Sequence, residues 1–295
     1  MDKNGNIGYY LLRSVTWFIQ LFPLRFHYIF SDFISLFIYY VVRYRREVVF
    51  KNLRNSFPEK SENEIKWIAK KFYGHFCDSF IETLYFDRVS EKEIKKRLIL
   101  HNHEFLEKYL LEGRAIVMAM GHYNNWEWNC SWPLNTDYTG YVIYKRLTNK
   151  SFDKFYYNMR ARFGVIPLER ADTFRQLVAD KNNHKASASA FLMDQTPRKH
   201  EIQYWTTFLN QDTPILTGTE KVARKLDAVV IFCHVRKLKR GYNRLEFSLI
   251  TEHAKETAPF EITEKATRMI EEMIIQRPEL WLWSHKRWKH KRETL

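Results

Sequence analysis

The chain has 295 residues, 45% of them hydrophobic and 16% aromatic, and a formal net charge of +14. Nine glycines, eight prolines and no low-complexity linker or internal repeat exclude a fibrous or disordered chain, and fit one large catalytic domain with an N-terminal extension. Cys77, Cys130 and Cys233 are too scattered for a disulfide framework or a metal site and suit a reducing compartment. The positive charge predicts an anionic partner. Coupled to so many aromatics it favours an anionic membrane surface over nucleic acid, for which no RNP, KH or zinc-knuckle pattern is present.

The first element is strongly apolar and aromatic, from Tyr9 to Val42. Arg13, Pro23, Arg25 and Asp32 interrupt it, and Arg43, Arg45 and Arg46 close it. No charge-free stretch reaches the ~20 residues of a clean spanning helix, and no small-residue cleavage site marks a secretory signal. The pattern predicts two amphipathic helices broken at Pro23, lying in the membrane interface over residues 1–50. A pair of core helices, or a tilted span from Tyr28 to Val42, are the alternatives.

Residues 51–295 form the expected catalytic domain, ending in a basic tail. Ile65, Ile68, Phe72, Phe76, Phe80 and Leu84 recur at helical spacing, and Ser61 with Glu64 predicts a capping box at the start of that helix. A short helix over His103–Leu111 stops at Gly113. Strands are expected over Arg114–Met120, Gly140–Tyr144, Val165–Leu168, Ser187–Met193, Ala228–Val235 and Arg244–Thr251. Helices are expected over Asn125–Trp132, Ser151–Phe163, Asp172–Lys181, Pro214–Leu226 and Glu261–Ile275. Such alternation implies an α/β fold, a central sheet flanked by helices.

The chemistry gathers just past these strands. Gly121-His122 ends the apolar run Ala115–Met120, and Glu127 follows five positions later. Sites of α/β sheets lie beyond the carboxyl ends of strands, and a histidine with a carboxylate makes a general base and the group that orients it. On one continuous helix five residues turn ~500°, leaving the side chains about 140° apart. The pair therefore requires His122 in a turn before the helix and Glu127 in its first turns, with Asn124 or Asn125 as the cap. Taken alone, so short a pattern as H-x4-E more often describes a capping histidine and a solvated glutamate. Tyr144-Lys145-Arg146 ends a second strand, followed by Asn149 and Asp153. Met193-Asp194-Gln195-Thr196-Pro197 ends a third.

With Met159-Arg160-Ala161-Arg162-Phe163-Gly164, Thr217-Gly218-Thr219, Ala223-Arg224 and the ending Trp281-Leu282-Trp283-Ser284-His285-Lys286-Arg287-Trp288-Lys289, this ordered set resembles the lipid A late (secondary) acyltransferases, a branch of the lysophospholipid acyltransferase superfamily. The resemblance covers nearly the whole chain. Its one departure is Lys145 where the family commonly has arginine, with Arg146 next; lysine keeps the charge but loses the fork geometry. The glycerophosphate branch, with Asp as the motif acid and a later Glu-Gly-Thr-Arg-like block, is not matched.

The resemblance implies acyl transfer at the cytoplasmic face of a bacterial inner membrane. The donor would be acyl carrier protein or acyl-CoA, and the acceptor a hydroxyl of a lipid A precursor, with no cofactor and no metal. His122 would be the base and Glu127 its orienter. Lys145 and Arg146 are candidates for binding the oxyanion or a phosphate. Asn149, Arg160, Arg162, Asp194, Gln195 and Arg224 are candidates for orienting substrate. Acylation of another membrane lipid, an aminoacyl lipid or a lysophospholipid, is the nearest alternative. A non-catalytic basic adaptor is a more distant one.

Overall fold

The computed structural model describes residues 3–135 and 138–292, so the last three residues of the expected 51–295 domain lie outside the described residues. Lys3–Gln20 form α1 and Leu24–Phe37 form α2, which runs on into a π-helical turn, Ile38–Val42. The break falls at Pro23, which cannot donate to a helix interior. Both helices are amphipathic in an inverted sense. Their polar side chains face the protein: Thr16 donates to Asp87 (2.6 Å), Tyr28 to Glu82 (2.7 Å) and Ser31 to Asp78 (2.6 Å). Their large apolar side chains, among them Ile7, Leu11, Phe18, Phe30 and Phe33, face outward and are exposed. No single helix among the described residues is long and apolar enough to cross a membrane. The pair Ile7–Gln20 and Leu24–Val42 reaches that length and composition together, bent by 116°.

Next come α3 (Arg46–Ser56) and α4 (Glu62–Phe86). The expected capping box is formed: Ser61 N–H donates to Glu64 (2.9 Å) and Glu64 N–H to the Ser61 hydroxyl (3.4 Å). Then follow α5 (Glu91–Arg97), β1 (Leu98–His101), α6 (Glu104–Leu111), β2 (Ile116–Met120), a 3-10 helix (Trp126–Asn135) and β3 (Thr139–Tyr144). Beyond them lie α7 (Lys150–Ala161), β4 (Val165–Glu169), α8 (Thr173–Asn182) and β5 (Ser187–Leu192). The chain closes with β6 (Trp205–Phe208), β7 (Gln211–Pro214), α9 (Gly218–Leu226), β8 (Val229–Lys239), β9 (Tyr242–Thr251) and α10 (Glu261–Gln276).

Seven strands form one sheet in the order β1-β9-β8-β2-β5-β3-β4; only β8 and β9 pair antiparallel. β2 lies at the centre with all five residues buried, which explains why its sequence is an apolar run without alternation. Every expected strand is present. β1 and the hairpin β6–β7 were not expected. The hairpin also corrects the helix expected from Pro214: that proline ends β7 opposite Trp205, and the helix starts only at Gly218.

Candidate active site

The site follows from sheet register. Met120 pairs with Leu192 across β2 and β5, and Met193 N–H donates to Met120 O (3.0 Å). Two residues beyond each strand end, His122 therefore meets Asp194. His122 Nδ1 lies 2.7 Å from Asp194 Oδ1, and the His122 backbone N–H donates to Oδ2 at 2.9 Å. Gly121 permits this approach, since a Cβ there would stand 3.3 Å from both Asp194 Oδ2 and Ile270. A third donor, Trp281 Nε1–H, reaches Oδ2 at 2.7 Å. Burial alone would push the Asp194 carboxyl up, but the imidazole and these N–H groups together hold it down at about 2. An ionised carboxylate only accepts, so the His122 proton sits on Nδ1 and the lone pair on Nε2. Nε2 faces the Gln195 amide nitrogen at 3.1 Å.

Glu127 is not the partner of His122. It lies in the first turn of the 3-10 helix, as the spacing required, but Arg160 takes both its oxygens, Nε at 2.7 Å and Nη2 at 2.5 Å. A bidentate guanidinium outcompetes a single imidazole N–H for a carboxylate. The Glu127 charge in turn keeps Arg160 ionised against its burial. Asn124 and Asn125, expected as caps, spend their side chains on Asn243 (2.7 Å) and Glu82 (2.8 Å).

A pocket of about 780 Å³ opens beside the dyad. Val142, Ala190 and Met118 occupy one register row across β3, β5 and β2, and all three line it. Cys233 and Phe247, paired across β8 and β9, extend the apolar lining. Polar residues meet it at His122, Glu127, Lys145, Arg146, Arg160 and Gln195, with Arg170, Arg198 and Lys289 adding charge. Lys145 and Arg146 are exposed, and Arg146 also reaches Glu169 (3.0 Å). Three candidates are not brought to this pocket. Asn149 caps α7, accepting from Ser151 and Phe152 N–H (3.0 and 3.2 Å). Arg162 donates to Phe86 O (2.9 Å). Arg224 holds the Thr257 carbonyl, and so binds backbone rather than an acid or phosphate.

The basic ending is solvated only in part: Lys286, Lys289, Lys291 and Arg292 are exposed. Trp281, Trp283 and Arg287 are fully buried. Tyr123 bridges Trp281 in antiparallel fashion, and Asn124 N–H donates to Leu280 O (2.8 Å), so this segment flanks the His122 turn. Burial lowers the His285 pKa to about 4, leaving a neutral ring whose Nε2 accepts from Thr196 N–H (3.1 Å). Arg287 donates to Pro214 O (2.7 Å), and burial lowers it to about 10, with Asp194 opposing. The sequence had one signal for this, the alternation of bulky aromatics in Trp281-Leu282-Trp283, masked by the cations around it.

A search of curated proteins returns no match. A protein-family comparison does: residues 2–290 fit the bacterial lipid A biosynthesis acyltransferases. The fit spans α1 and α2, the whole sheet with its His122–Asp194 pair, and the buried ending that supports them. The chain belongs to the bacterial lipid A biosynthesis acyltransferase family and is an acyltransferase.

Proposed function

We propose that the protein transfers a fatty acyl chain from an acyl thioester, carried by acyl carrier protein, to a hydroxyl of a lipid A precursor at the cytoplasmic face of the inner membrane. The observation that carries this reading is the His122–Asp194 pair at the edge of an apolar pocket about 780 Å³ in volume. The donor chain lies along the strand row of Val142, Ala190 and Met118. The acceptor hydroxyl displaces the Gln195 amide from Nε2 and gives its proton to that nitrogen as its oxygen attacks the thioester carbonyl. Asp194 stabilises the resulting imidazolium and holds its tautomer. Collapse of the tetrahedral intermediate breaks the C–S bond, and the departing thiolate takes the proton from Nε2. Arg160, held ionised by Glu127, and the more exposed Lys145 and Arg146 offer the positive charge for the oxyanion and for acceptor phosphate. The outward apolar faces of α1 and α2 rest in the membrane, where the acceptor resides.

Mass spectrometry of lipids from a deletion strain tests the acceptor. Loss of one acyl chain from lipid A is expected; an unchanged lipid A with a changed aminoacyl lipid or lysophospholipid moves the activity to that lipid. A liposome assay with His122→Ala tests the chemistry, since a non-catalytic adaptor would bind and behave as before.

A further inference from the structure

Arg160 and Arg162 lie two residues apart near the end of α7 and so point in different directions. Arg160 lines the catalytic pocket; Arg162 lines a separate cleft of about 440 Å³ with Tyr9, Arg13, Asp87, Arg88 and Asn158. The cleft exists because α1 packs closely on α7. Gly8 makes that approach possible, since a Cβ there would stand 2.6 Å from the Ser151 hydroxyl. Asn158 donates to the Tyr9 hydroxyl (3.1 Å) across the same junction.

Three guanidinium groups and one carboxylate line the cleft, an excess of two positive charges. The carboxylate is already committed. Asp87 is buried and accepts from Arg13 (2.7 and 2.9 Å) and Thr16 (2.6 Å), with Arg88 at 3.8 Å. Arg88 otherwise donates only to neutral oxygens, Thr16 Oγ1 and Arg13 O, both at 3.3 Å, and Arg162 to Phe86 O. These bonds hold the forks in place without neutralising them. Burial lowers the Arg162 pKa; Asp87 and, more weakly, Glu91 oppose this, while Arg13 and Arg88 add to it. Arginine forks gathered in this way match the oxygens of a phosphate. The opposite face of α1 presents exposed Ile7, Leu11 and Phe18, an apolar surface for acyl chains. We propose that the cleft between α1 and α7, lined by Arg13, Arg88 and Arg162, binds the phosphate headgroup of an anionic membrane lipid at a place distinct from the catalytic pocket. The proposal does not depend on which lipid is acylated.

The test is cosedimentation of the full chain with vesicles of phosphatidylcholine alone and of phosphatidylcholine mixed with phosphatidylglycerol. Arg88→Gln/Arg162→Gln is expected to weaken binding to the mixed vesicles about 20-fold, near fivefold per cation removed, and to leave binding to phosphatidylcholine unchanged. Arg175→Gln/Lys265→Gln, which removes the same charge from α8 and α10, is the control and is expected to change affinity less than about threefold, since neither residue lines the cleft. Equal losses in the two variants overturn the site. Thermal protection of the wild type by inorganic phosphate without any preference for mixed vesicles assigns the cleft to free phosphate and overturns the lipid headgroup. Should the double glutamine variant not fold, Arg162→Lys keeps the charge and removes the fork. A several-fold loss on mixed vesicles supports the proposal; wild-type affinity overturns it.

Discussion

Asp194→Asn separates the two candidate orienters of His122. The substitution is nearly isosteric but replaces one acceptor oxygen with an N–H donor. Oδ2 receives two N–H groups, from His122 and Trp281, while Oδ1 receives only the imidazole. The asparagine oxygen therefore takes the Oδ2 place and its amide nitrogen faces Nδ1. That reverses the tautomer: Nδ1 becomes an acceptor and Nε2 carries the proton, so it cannot act as a base. Turnover is expected to fall by roughly 10²–10⁴, the range a positioned base supplies. All three hydrogen bonds persist, one of them reversed, but none is charge-assisted any longer, so denaturant unfolding should register a loss of only about 1–3 kcal/mol. The assay is release of free thiol from an acyl thioester in the presence of a lipid A precursor, alongside urea unfolding of the same preparation. Near-normal turnover in Asp194→Asn, with turnover abolished in Glu127→Gln, would return the orienting role to Glu127 and refute the register argument.

Glu127→Gln leaves the partly buried Arg160 without its counter-charge; a stability loss toward about 3 kcal/mol is expected in urea unfolding, with the acid limb of the kcat/KM profile unmoved. Trp281→Phe keeps the ring packing but removes one donor from Asp194. The carboxylate becomes more basic, the imidazolium better stabilised, and the acid limb should move to higher pH, a shift that a packing defect alone does not produce. Ala190→Leu fills the strand row beneath the dyad, so kcat/KM should fall by about fourfold for each methylene that no longer fits, read on a series of donor chain lengths. Stability should decline with acid in two windows. His285 has its pKa lowered to about 4 by burial, so the unfolded chain binds that proton more readily and stability is lost from pH ~6.5 down to ~4. After discounting for partial exposure, this is roughly 1–2 kcal/mol. Asp194, held at about 2, adds a second loss from pH ~4 down toward ~2. His285→Asn should shrink the first window in pH-dependent melting by the His285 share, since burial also lowers His75 and His234, and leave the second.

Much of the fold was legible because local patterns carry it. The apolar run at 116–120 and the five other expected strands stand where hydrophobicity and turn residues placed them. The Ser61–Glu64 cap formed because both of its bonds are local. The His122–Asp194 pairing was not legible for the opposite reason. Both strand ends were visible, but β5 lies beside β2 only through the crossed strand order, which brings residues 72 apart in sequence within 2.7 Å. Spacing along the chain favoured Glu127 because it was near. Arg160 was recognised as able to face the site, yet its fork was not matched to Glu127, since 33 residues and the strand β3 separate them. β1 and the β6–β7 hairpin are four-residue strands at the sheet edge or outside it, too short for a period to register.

The position of residues 281–287 explains why so basic a chain buries Trp281, Trp283 and Arg287. An ionised Asp194 beneath the sheet end is costly unless donors meet it from every side. β2 supplies one element of that cage, the His122 turn; the other side lies beyond the carboxyl ends of the central strands. Residues 281–287 close it with an indole N–H on Asp194, a neutral histidine on Thr196 and a buried guanidinium nearby. The sheet thus brings His122 and Asp194 together, and the terminal segment adds a donor that keeps the carboxylate ionised. Of the cations in that segment only Arg287 is buried near the carboxylate; Lys286, Lys289, Lys291 and Arg292 are exposed. The charge available for anionic partners lies elsewhere: around the pocket at Lys145, Arg146, Arg170, Arg198 and Lys289, and in the arginine cleft under α1. A net charge of +14 therefore divides into an inward part, of which Arg287 lies buried near Asp194, and an outward part exposed around the pocket and along the cleft under α1.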